Sequence, residues 1–144
     1  GAGMPIGAFI SSWELMNLLT FKPKLGHITT FGGHPVNCAA SLACLQHLLT
    51  FNIMKKVDKK EQLFRTHLKH PKIKEIRGKG LMLSLEFKNE ELAKKVVEQS
   101  LENGLILFYF LFTKTSIRIT PPLTISESEI IKGCQIITNI LKYP

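Results

Sequence analysis

Two adjacent hydroxyl side chains precede a pair of glycines in residues 26–35, whose sequence is GHITTFGGHP. Neighbouring hydroxyls and free backbone N–H groups at the beginning of a helix are suited to bind an anionic group. Glycine lets the backbone come close to a ligand because it has no Cβ. Thr29 and Thr30 are therefore a candidate anion site. A Thr-Thr-x-Gly-Gly turn that binds nothing is the alternative interpretation.

Arg118 is a second candidate, because it lies in the middle of a short run with strand-like alternation. Ile117 and Ile119 flank it, and successive side chains of a strand point to opposite faces. If the isoleucines face a core, Arg118 stands on the open face of a sheet, and the Pro-Pro pair that follows stiffens the exit. A guanidinium held in this way is suited to bind a carboxylate through two parallel hydrogen bonds. A surface arginine without a ligand is the alternative.

The remaining candidates for chemistry are weaker. Cys38, Cys44 and Cys134 are too few and too scattered for a disulfide framework or a metal site. We interpret all three as small core residues, and a reducing cytoplasm fits them. His67 and His70 have no acidic or cysteine partner nearby, so no metal site is predicted.

The net charge of +8 raises the hypothesis of nucleic-acid binding. The basic residues are spread along the chain, however, and aromatic residues are not interleaved with them as a base-stacking platform requires. We therefore predict a solvated basic surface and no nucleic-acid partner. No apolar run approaches the roughly 18 residues of a membrane span, so no membrane partner is predicted either.

The elements that position the first candidate are helical. With 144 residues, 44% of them hydrophobic, the chain is long enough for one domain, or for one domain and part of another. Residues 1–9 are glycine-rich and predict a loop. Ser11 and Glu14 predict a capping box for a helix that ends near Leu19. Pro35 is suited to the first turn of a long helix over residues 36–51.

From residue 53 onward the pattern predicts a self-contained α/β unit. Helices are expected over residues 53–68 and 90–102 and after a Ser126–Glu129 capping box, with Asn89 as the cap of the middle helix. The last helix carries Ile130, Cys134, Ile137 and Leu141 on one stripe. Strands are expected over residues 73–76, 81–87, 105–112 and 116–120, with a bend or bulge at residues 77–80. We predict a three- or four-stranded, mostly antiparallel sheet with helices on one side.

Four motifs in this order resemble the C-terminal portion of the class III aminotransferases. The family consists of pyridoxal-phosphate enzymes of fold type I and includes acetylornithine, ornithine and 4-aminobutyrate aminotransferases. The motifs are GMPIGA at residues 3–8, residues 26–35, RGKGLM at residues 77–82 and RITPPLTI at residues 118–125. The resemblance implies that residues 1–52 end the large cofactor domain and that residues 53–144 form the small C-terminal domain.

The resemblance also implies roles for the candidate residues. Thr30 matches the family threonine that binds the cofactor phosphate of the neighbouring subunit in a homodimer, and Thr29 lies beside it. Arg118 matches the arginine that binds the substrate α-carboxylate. The cofactor is pyridoxal 5'-phosphate, and the expected parent reaction moves an amino group from an acetylornithine- or ornithine-type amino acid to 2-oxoglutarate. Ser84 stands where many members have glycine, a change that we expect to be neutral.

The family's Schiff-base lysine is expected just upstream of Gly1, which implies that the chain is a piece of a longer protein. Without this lysine no residue moves the proton of transamination, and we expect the chain alone to be inactive. Two hypotheses from other classes remain open at this point. One is a stand-alone basic module that binds nucleic acid or an acidic partner, and the other is a dimerisation unit without catalysis.

Overall fold

The computed structural model of the chain describes residues 1–24 and 26–143. The chain divides into two compact units, Gly1–Phe51 and Asn52–Pro144, which we call unit 1 and unit 2. This division falls beside the boundary expected between residues 52 and 53. The assignment of the two parts to a large and a small transaminase domain stays a prediction.

Unit 1 consists of a loop, helix α1 (Trp13–Phe21), a second loop and helix α2 (Pro35–Thr50). Ser12, and not Ser11, caps α1: its Oγ accepts from the Leu15 N–H at 3.4 Å. The predicted capping box is therefore wrong by one residue, because Glu14 falls at the second helical position. Pro35 occupies the first position of α2, where a helix does not need the missing proline N–H.

Unit 1 has no interior among the described residues 1–24 and 26–51, since none of them is buried. Cys38 is exposed and Cys44 is half-buried. The expectation that both are core residues is therefore wrong for this structure, because nothing within unit 1 packs over their face of α2. Cys134, in unit 2, is buried as predicted.

Unit 2 begins with a 3₁₀ turn (Ile53–Lys56), which interrupts the continuous helix predicted from residue 53. Three α-helices follow: α3 (Val57–His67), α4 (Glu90–Glu102) and α5 (Glu127–Lys142). The Asn89 side chain caps α4 by accepting from the Leu92 N–H at 3.0 Å. Both halves of the predicted Ser126–Glu129 capping box are present at the start of α5.

The sheet of unit 2 has four antiparallel strands in the order β1-β2-β4-β3. They are β1 (Ile73–Lys79), β2 (Met82–Phe87), β3 (Phe108–Tyr109) and β4 (Ser116–Ile119). The predicted α/β class with an antiparallel sheet and helices is confirmed. The predicted bend at residues 77–80 is too early, because Gly78 adopts a φ of +110° and still pairs with Leu83 inside the ladder. The turn falls at Gly80 and Leu81.

The apolar segment 105–112 is the largest departure from expectation. Only Phe108 and Tyr109 form a strand, and both are exposed, as is Phe112 at 97%. The segment lies at the sheet edge, where its one partner is the short strand β4. A β4 of four residues offers few backbone groups to pair with. The prediction of a strand over the whole of residues 105–112 is therefore wrong.

The core of unit 2 lies between one face of the sheet and the three α-helices. Its fully buried members come from both layers and include Leu83, Leu85, Phe87, Ile117, Ala93, Val96, Ile130, Cys134, Ile137 and Leu141. Alternation along β2 and β4 leaves Ser84 and Arg118 on the opposite face. We call this the open face of the sheet.

Among the described residues, no single helix is long and apolar enough to cross a membrane, although α2 and the following helical residues pass that test when counted together as one broken span.

Candidate anion and carboxylate sites

The first candidate site is a cavity of about 440 Å³ in unit 1. It lies between two loops that the sequence motifs had singled out separately, residues 5–7 and residues 29–37. Its wall includes Thr29, Gly32, Gly33, His34 and Asn37. The Asn37 side-chain N–H donates to the backbone oxygen of Pro5, so this contact ties the first loop to α2.

The glycine turn shapes the wall of this cavity. The Gly32 N–H donates to the Thr29 carbonyl oxygen at 3.2 Å. A Cβ on residue 32 would lie 2.8 Å from the Thr29 Oγ1, so any larger residue would displace that hydroxyl. Gly33 has a φ of +70°, a conformation that glycine adopts without strain.

The beginning of α2 completes the site electrostatically. His34 occupies the N-cap position, and its side chain makes no capping hydrogen bond. The first N–H groups of a helix have no partner inside the helix and carry partial positive charge. The hydroxyl of Thr29, the open glycine backbone and these N–H groups together fit the phosphate group that the sequence resemblance implies.

The two predicted threonines are placed differently. Both are exposed, but only Thr29 lines the cavity, whereas Thr30 is not part of its wall. His34 and Asn37 also line the cavity and were not identified from the sequence. Their positions just before and just after Pro35, at a helix start, are the signal that could have found them.

The second candidate site is Arg118, at the centre of β4 in unit 2. It lies opposite Ser84 on β2 and opposite Phe108 on β3. Its guanidinium carbon stands 5.5 Å from the centroid of the Phe108 ring, a distance at which a ring face attracts a cation. Arg118 is exposed and forms no salt bridge with an acidic side chain of the described residues. A contact with a ring face does not use the N–H donors of the guanidinium, so they can bind a ligand.

A buried lysine fixes the segment that leaves β4. The Lys60 side chain is only 8% exposed, and its Nζ donates to the Leu123 carbonyl oxygen at 2.6 Å. Lys60 belongs to α3, so this bond joins the helix layer to the chain just after Pro121 and Pro122. The sequence did not identify it, because a lysine on a basic helix has the pattern of a solvated residue.

The turn between β1 and β2 is also fastened to α3, by a group of bonds that we call the turn clasp. Glu61 accepts from the Arg65 Nε at 2.8 Å and from the Gly80 N–H. Arg65 donates in turn to the carbonyl oxygens of Ile76, at 2.9 Å, and Gly78, at 2.8 Å. The Arg65 guanidinium and then the Gly80 N–H lower the pKa of the Glu61 carboxyl below its usual range. The clasp holds the strand pair that carries the open face.

Among residues 1–24 and 26–143, no group of three histidine, cysteine or acidic side chains is placed to hold a metal ion. The donors at the two candidate sites, which are hydroxyl, backbone N–H and guanidinium groups, are suited to bind anions. The two candidate sites belong to different units of the chain.

Comparison with known proteins finds one family over nearly the whole chain. The family model described as aminotransferase class-III matches residues 1–141. Acetylornithine aminotransferase of Caldanaerobacter subterraneus is 38% identical over an alignment of 146 positions, which covers 98% of this chain and 35% of that protein. Putrescine aminotransferase of Pectobacterium atrosepticum is 32% identical, over 99% of this chain and 31% of that protein.

A solved structure shows the same fold. The ornithine aminotransferase of Toxoplasma gondii superposes with a TM-score of 0.73 and 30% identity, over 90% of this chain and 31% of that one. The chain thus spans about a third of the length of the curated relatives it matches.

Proposed function

The chain belongs to the class III aminotransferase family, and from this we propose that it is part of a pyridoxal-phosphate-dependent transaminase. The reaction moves an amino group from an amino acid of the acetylornithine or ornithine type to 2-oxoglutarate. One observation carries the proposal within the chain: Arg118 is exposed on a strand, lies 5.5 Å from the centroid of the Phe108 ring, and pairs with no described acidic side chain. The names of relatives that act on acetylornithine and ornithine support the choice of amino donor.

Arg118 binds the carboxylate of the substrate. A planar guanidinium donates two parallel hydrogen bonds to a carboxylate and thereby fixes its orientation as well as its position. The Phe108 ring on one side and the Pro121-Pro122 exit, tied to Lys60 through Leu123, limit the movement of β4. Such preorganisation reduces the ordering cost of substrate binding.

The cavity of unit 1 contributes to the cofactor phosphate site. Thr29 and the N–H groups at the start of α2 donate to phosphate oxygens, and Gly32 leaves room for them. Thr30, which is not part of this wall, contacts the cofactor phosphate of the neighbouring subunit in a homodimer. When bound, pyridoxal phosphate supplies the electron sink that transamination requires.

The remaining parts of the proposal concern the whole protein. Residues 1–52 belong to the large cofactor domain and residues 53–144 to the small domain. The enzyme works in the cytoplasm, where its three free cysteines stay reduced. The 144 residues alone do not transaminate, because the family's Schiff-base lysine has no counterpart among their lysines.

A chimaera tests the proposal. Residues 1–144 replace the aligned third of the Caldanaerobacter acetylornithine aminotransferase, and transfer from N-acetylornithine to 2-oxoglutarate is measured. We expect activity in the chimaera and none in the 144-residue chain alone. Arg118→Gln in the chimaera should raise the KM for 2-oxoglutarate by about tenfold or more, because the substrate carboxylate loses a charge-assisted hydrogen-bonded pair.

Cofactor absorbance serves as the folding control for every chimaera. A chimaera that retains bound cofactor but transfers no amino group to 2-oxoglutarate would contradict the proposed reaction. An unchanged KM in the Arg118→Gln chimaera would contradict the assignment of the carboxylate site alone. Lys56→Gln removes an exposed charge at the start of unit 2 and should change neither value.

A further inference from the structure

Two adjoining cavities in unit 2 lie between α5 and the segments that enter β3 and leave β4. The inner cavity has a volume of about 270 Å³, and the outer cavity has a volume of about 460 Å³. Both are lined by Leu105, Pro122, Ile125, Glu129 and Gly133. Because the cavities share this part of their walls, we call them together the α5 cleft.

The inner cavity is apolar. Its wall includes the buried side chains of Phe64, Ile130 and Ile137. Ile106 also lines it and is 69% exposed, so the apolar wall extends to the surface. An apolar cavity of about 150 Å³ in another protein stays dry and binds benzene. The inner cavity is larger than this, so it has room for a short alkyl chain.

Gly133 keeps the α5 cleft open. It lies in the interior of α5, where a glycine destabilises the helix relative to alanine. A Cβ at this position would meet only the Leu105 Cδ1, at 3.6 Å, which is an ordinary van der Waals contact. Neither a steric clash nor a left-handed backbone conformation therefore requires glycine here. The missing side chain leaves space where the two cavities adjoin.

The outer cavity carries a positive charge at the surface. Lys132 lines it, is exposed, and forms no hydrogen bond or ion pair with the described residues. Glu129 lines it too, but its carboxylate already accepts from the Ser126 Oγ at 2.6 Å and from the Ser126 N–H at 2.8 Å. The group that is available to a ligand is therefore the Lys132 ammonium, which has three N–H donors.

We propose that the α5 cleft binds a fatty acid of medium chain length. The alkyl chain occupies the inner cavity, and the carboxylate lies in the outer cavity, where it accepts from the Lys132 ammonium. Transfer of the chain from water to the apolar wall supplies most of the affinity, and the ion pair selects an acid head group. This site goes beyond the proposed function, because it uses neither the cavity of unit 1 nor the Arg118 guanidinium.

The position of Arg118 separates it from the proposed head group. Arg118 borders the inner cavity but is not part of the wall of the outer one. Its neighbours Ile117 and Ile119 are buried in the core, so the Arg118 side chain lies on the open face of the sheet. Substitution of Lys132 and of Arg118 therefore distinguishes the two cations.

The test titrates the 144-residue chain with octanoate below its micelle concentration and follows backbone amide shifts by NMR. We expect shifts in residues 104–107, 120–125 and 129–136. We expect none of comparable size in α2, whose exposed apolar side chains serve as the internal comparison. 1-Octanol and octylamine, which have the same chain with a neutral or a cationic head group, are the matched probes.

Substitutions assign the two parts of the cleft. Gly133→Met places a flexible apolar side chain where the cavities adjoin and should weaken octanoate and 1-octanol by about tenfold or more, because the chain loses apolar burial. Lys132→Gln should weaken octanoate by about twofold to fivefold, the range of an exposed ion pair, and leave 1-octanol unchanged. Arg118→Gln should change neither. Lys142→Gln, which removes a charge of α5 that does not line the cleft, should also change neither.

The outcomes separate the site, its head group and the role of Arg118. No detectable octanoate binding, shifts confined to unit 1, or an unchanged octanoate affinity in a folded Gly133→Met variant overturns the inference. An unchanged octanoate affinity in Lys132→Gln, or tighter binding of octylamine than of octanoate, overturns the assignment of a fatty acid. If Arg118→Gln weakens octanoate, the carboxylate lies at that guanidinium. The inference then fails, and the proposed role of Arg118 stands.

Gly133→Ala guards against a blocking variant that does not fold. Alanine favours a helix more than glycine does, and its Cβ makes only the ordinary contact with Leu105, so the helical circular dichroism should be unchanged. We expect Gly133→Ala to weaken octanoate, but less than Gly133→Met does. If Gly133→Met loses its helical signal, an unchanged octanoate affinity in Gly133→Ala overturns the inference.

Discussion

Helices α2 and α5 have the same length, 16 residues, but only one of them has a buried stripe. None of the α2 residues is buried, whereas α5 buries Ile130, Cys134, Ile137, Ile140 and Leu141. Local signals suffice to start both helices: a proline at the first position of α2 and a capping box in α5. Burial requires partners elsewhere in the chain, and unit 2 supplies them while unit 1 does not.

The pattern of exposed side chains on α2 supports the proposed function. Val36, Leu42, Leu45 and Leu49 are each more than half exposed. A helix that is apolar on several sides is typical of the interior of a larger protein. Under the proposed function, other parts of the transaminase would cover these side chains.

The largest difference between the two units is expected from a substitution that creates a cavity in the core of unit 2. Leu85 is fully buried, and Leu85→Ala should lower the free energy of unfolding by about 2–5 kcal/mol. Leu42→Ala in α2 is the matched control, and because Leu42 is exposed it should cost about 0.5 kcal/mol or less. Urea denaturation followed by circular dichroism measures both. Equal losses would mean that the two units share one core.

The turn clasp is expected to give the next largest effect. Glu61→Gln replaces the carboxylate that accepts from Arg65 and Gly80 by a neutral amide. Because both hydrogen bonds lose their charge assistance, the free energy of unfolding of unit 2 should fall by about 2 kcal/mol. The pKa of Glu61 is lowered in the folded chain, so its contribution is present above the unfolded pKa and is lost as the pH falls through the folded pKa. The ordinary pKa of a glutamate carboxyl is 4.5. When the pH falls below this value, the free energy of unfolding should therefore decrease less in the variant than in the parent chain.

Glu14, in unit 1, is the comparator for this measurement. The pKa of its carboxyl is also lowered, first by a backbone hydrogen bond at the start of α1 and then by Ser12. Glu14→Gln should leave the unfolding of unit 2 and its pH dependence unchanged. A change as large as that of Glu61→Gln would contradict the separation of the two units.

Helix caps provide a smaller effect. The Asn89 cap bond of α4 is 3.0 Å long, whereas the Ser12 cap bond of α1 is 3.4 Å. We expect Asn89→Ala to cost about 1 kcal/mol and Ser12→Ala to cost less, because hydrogen bonds weaken with length. Urea midpoints of the two variants, monitored by helical circular dichroism, provide the test. The reverse order would mean that α1 is better fixed than its exposure indicates.

The smallest effect concerns the reactivity of the cysteine thiols, which distinguishes the two units without any substitution. Burial raises the pKa of the Cys134 thiol to about 12, so it stays protonated and inaccessible at neutral pH. Cys38 is exposed. A thiol reagent such as Ellman's should label Cys38 in the folded chain and Cys134 only after denaturation. Rapid labelling of Cys134 in the native chain would show that unit 2 opens readily.

Sequence patterns predicted the helices of unit 2 best, because their signals are local. Asn89 and Gly104 bracket α4, and Ser126 with Glu129 starts α5, and the structure has both helices where these residues place them. The strand expected over residues 81–87 is also present, and its alternate residues Leu83, Leu85 and Phe87 are all buried. Each of these features depends on residues a few positions apart.

Features that depend on residues far apart in the chain could not be predicted from such local patterns. An apolar run such as residues 105–112 has the composition of a buried strand, but its pairing depends on the length of β4 and on its place at the sheet edge. The bond between Lys60 and the Leu123 carbonyl oxygen joins residues that are 63 positions apart. The sequence pattern of a basic helix does not predict it. The candidate site residues Thr29, Thr30 and Arg118 were identified by type and spacing, and their roles stay predictions.

The packing of α3 against α5 has a consequence for how the protein is made. Both helices belong to one core, and α3 precedes the four strands of the sheet whereas α5 follows them. During synthesis the inner face of the sheet therefore stays partly uncovered until α5 has been made. A nascent chain in that state exposes apolar surface of the kind that chaperones bind, so a chain that stops within α5 should aggregate rather than form a shortened domain.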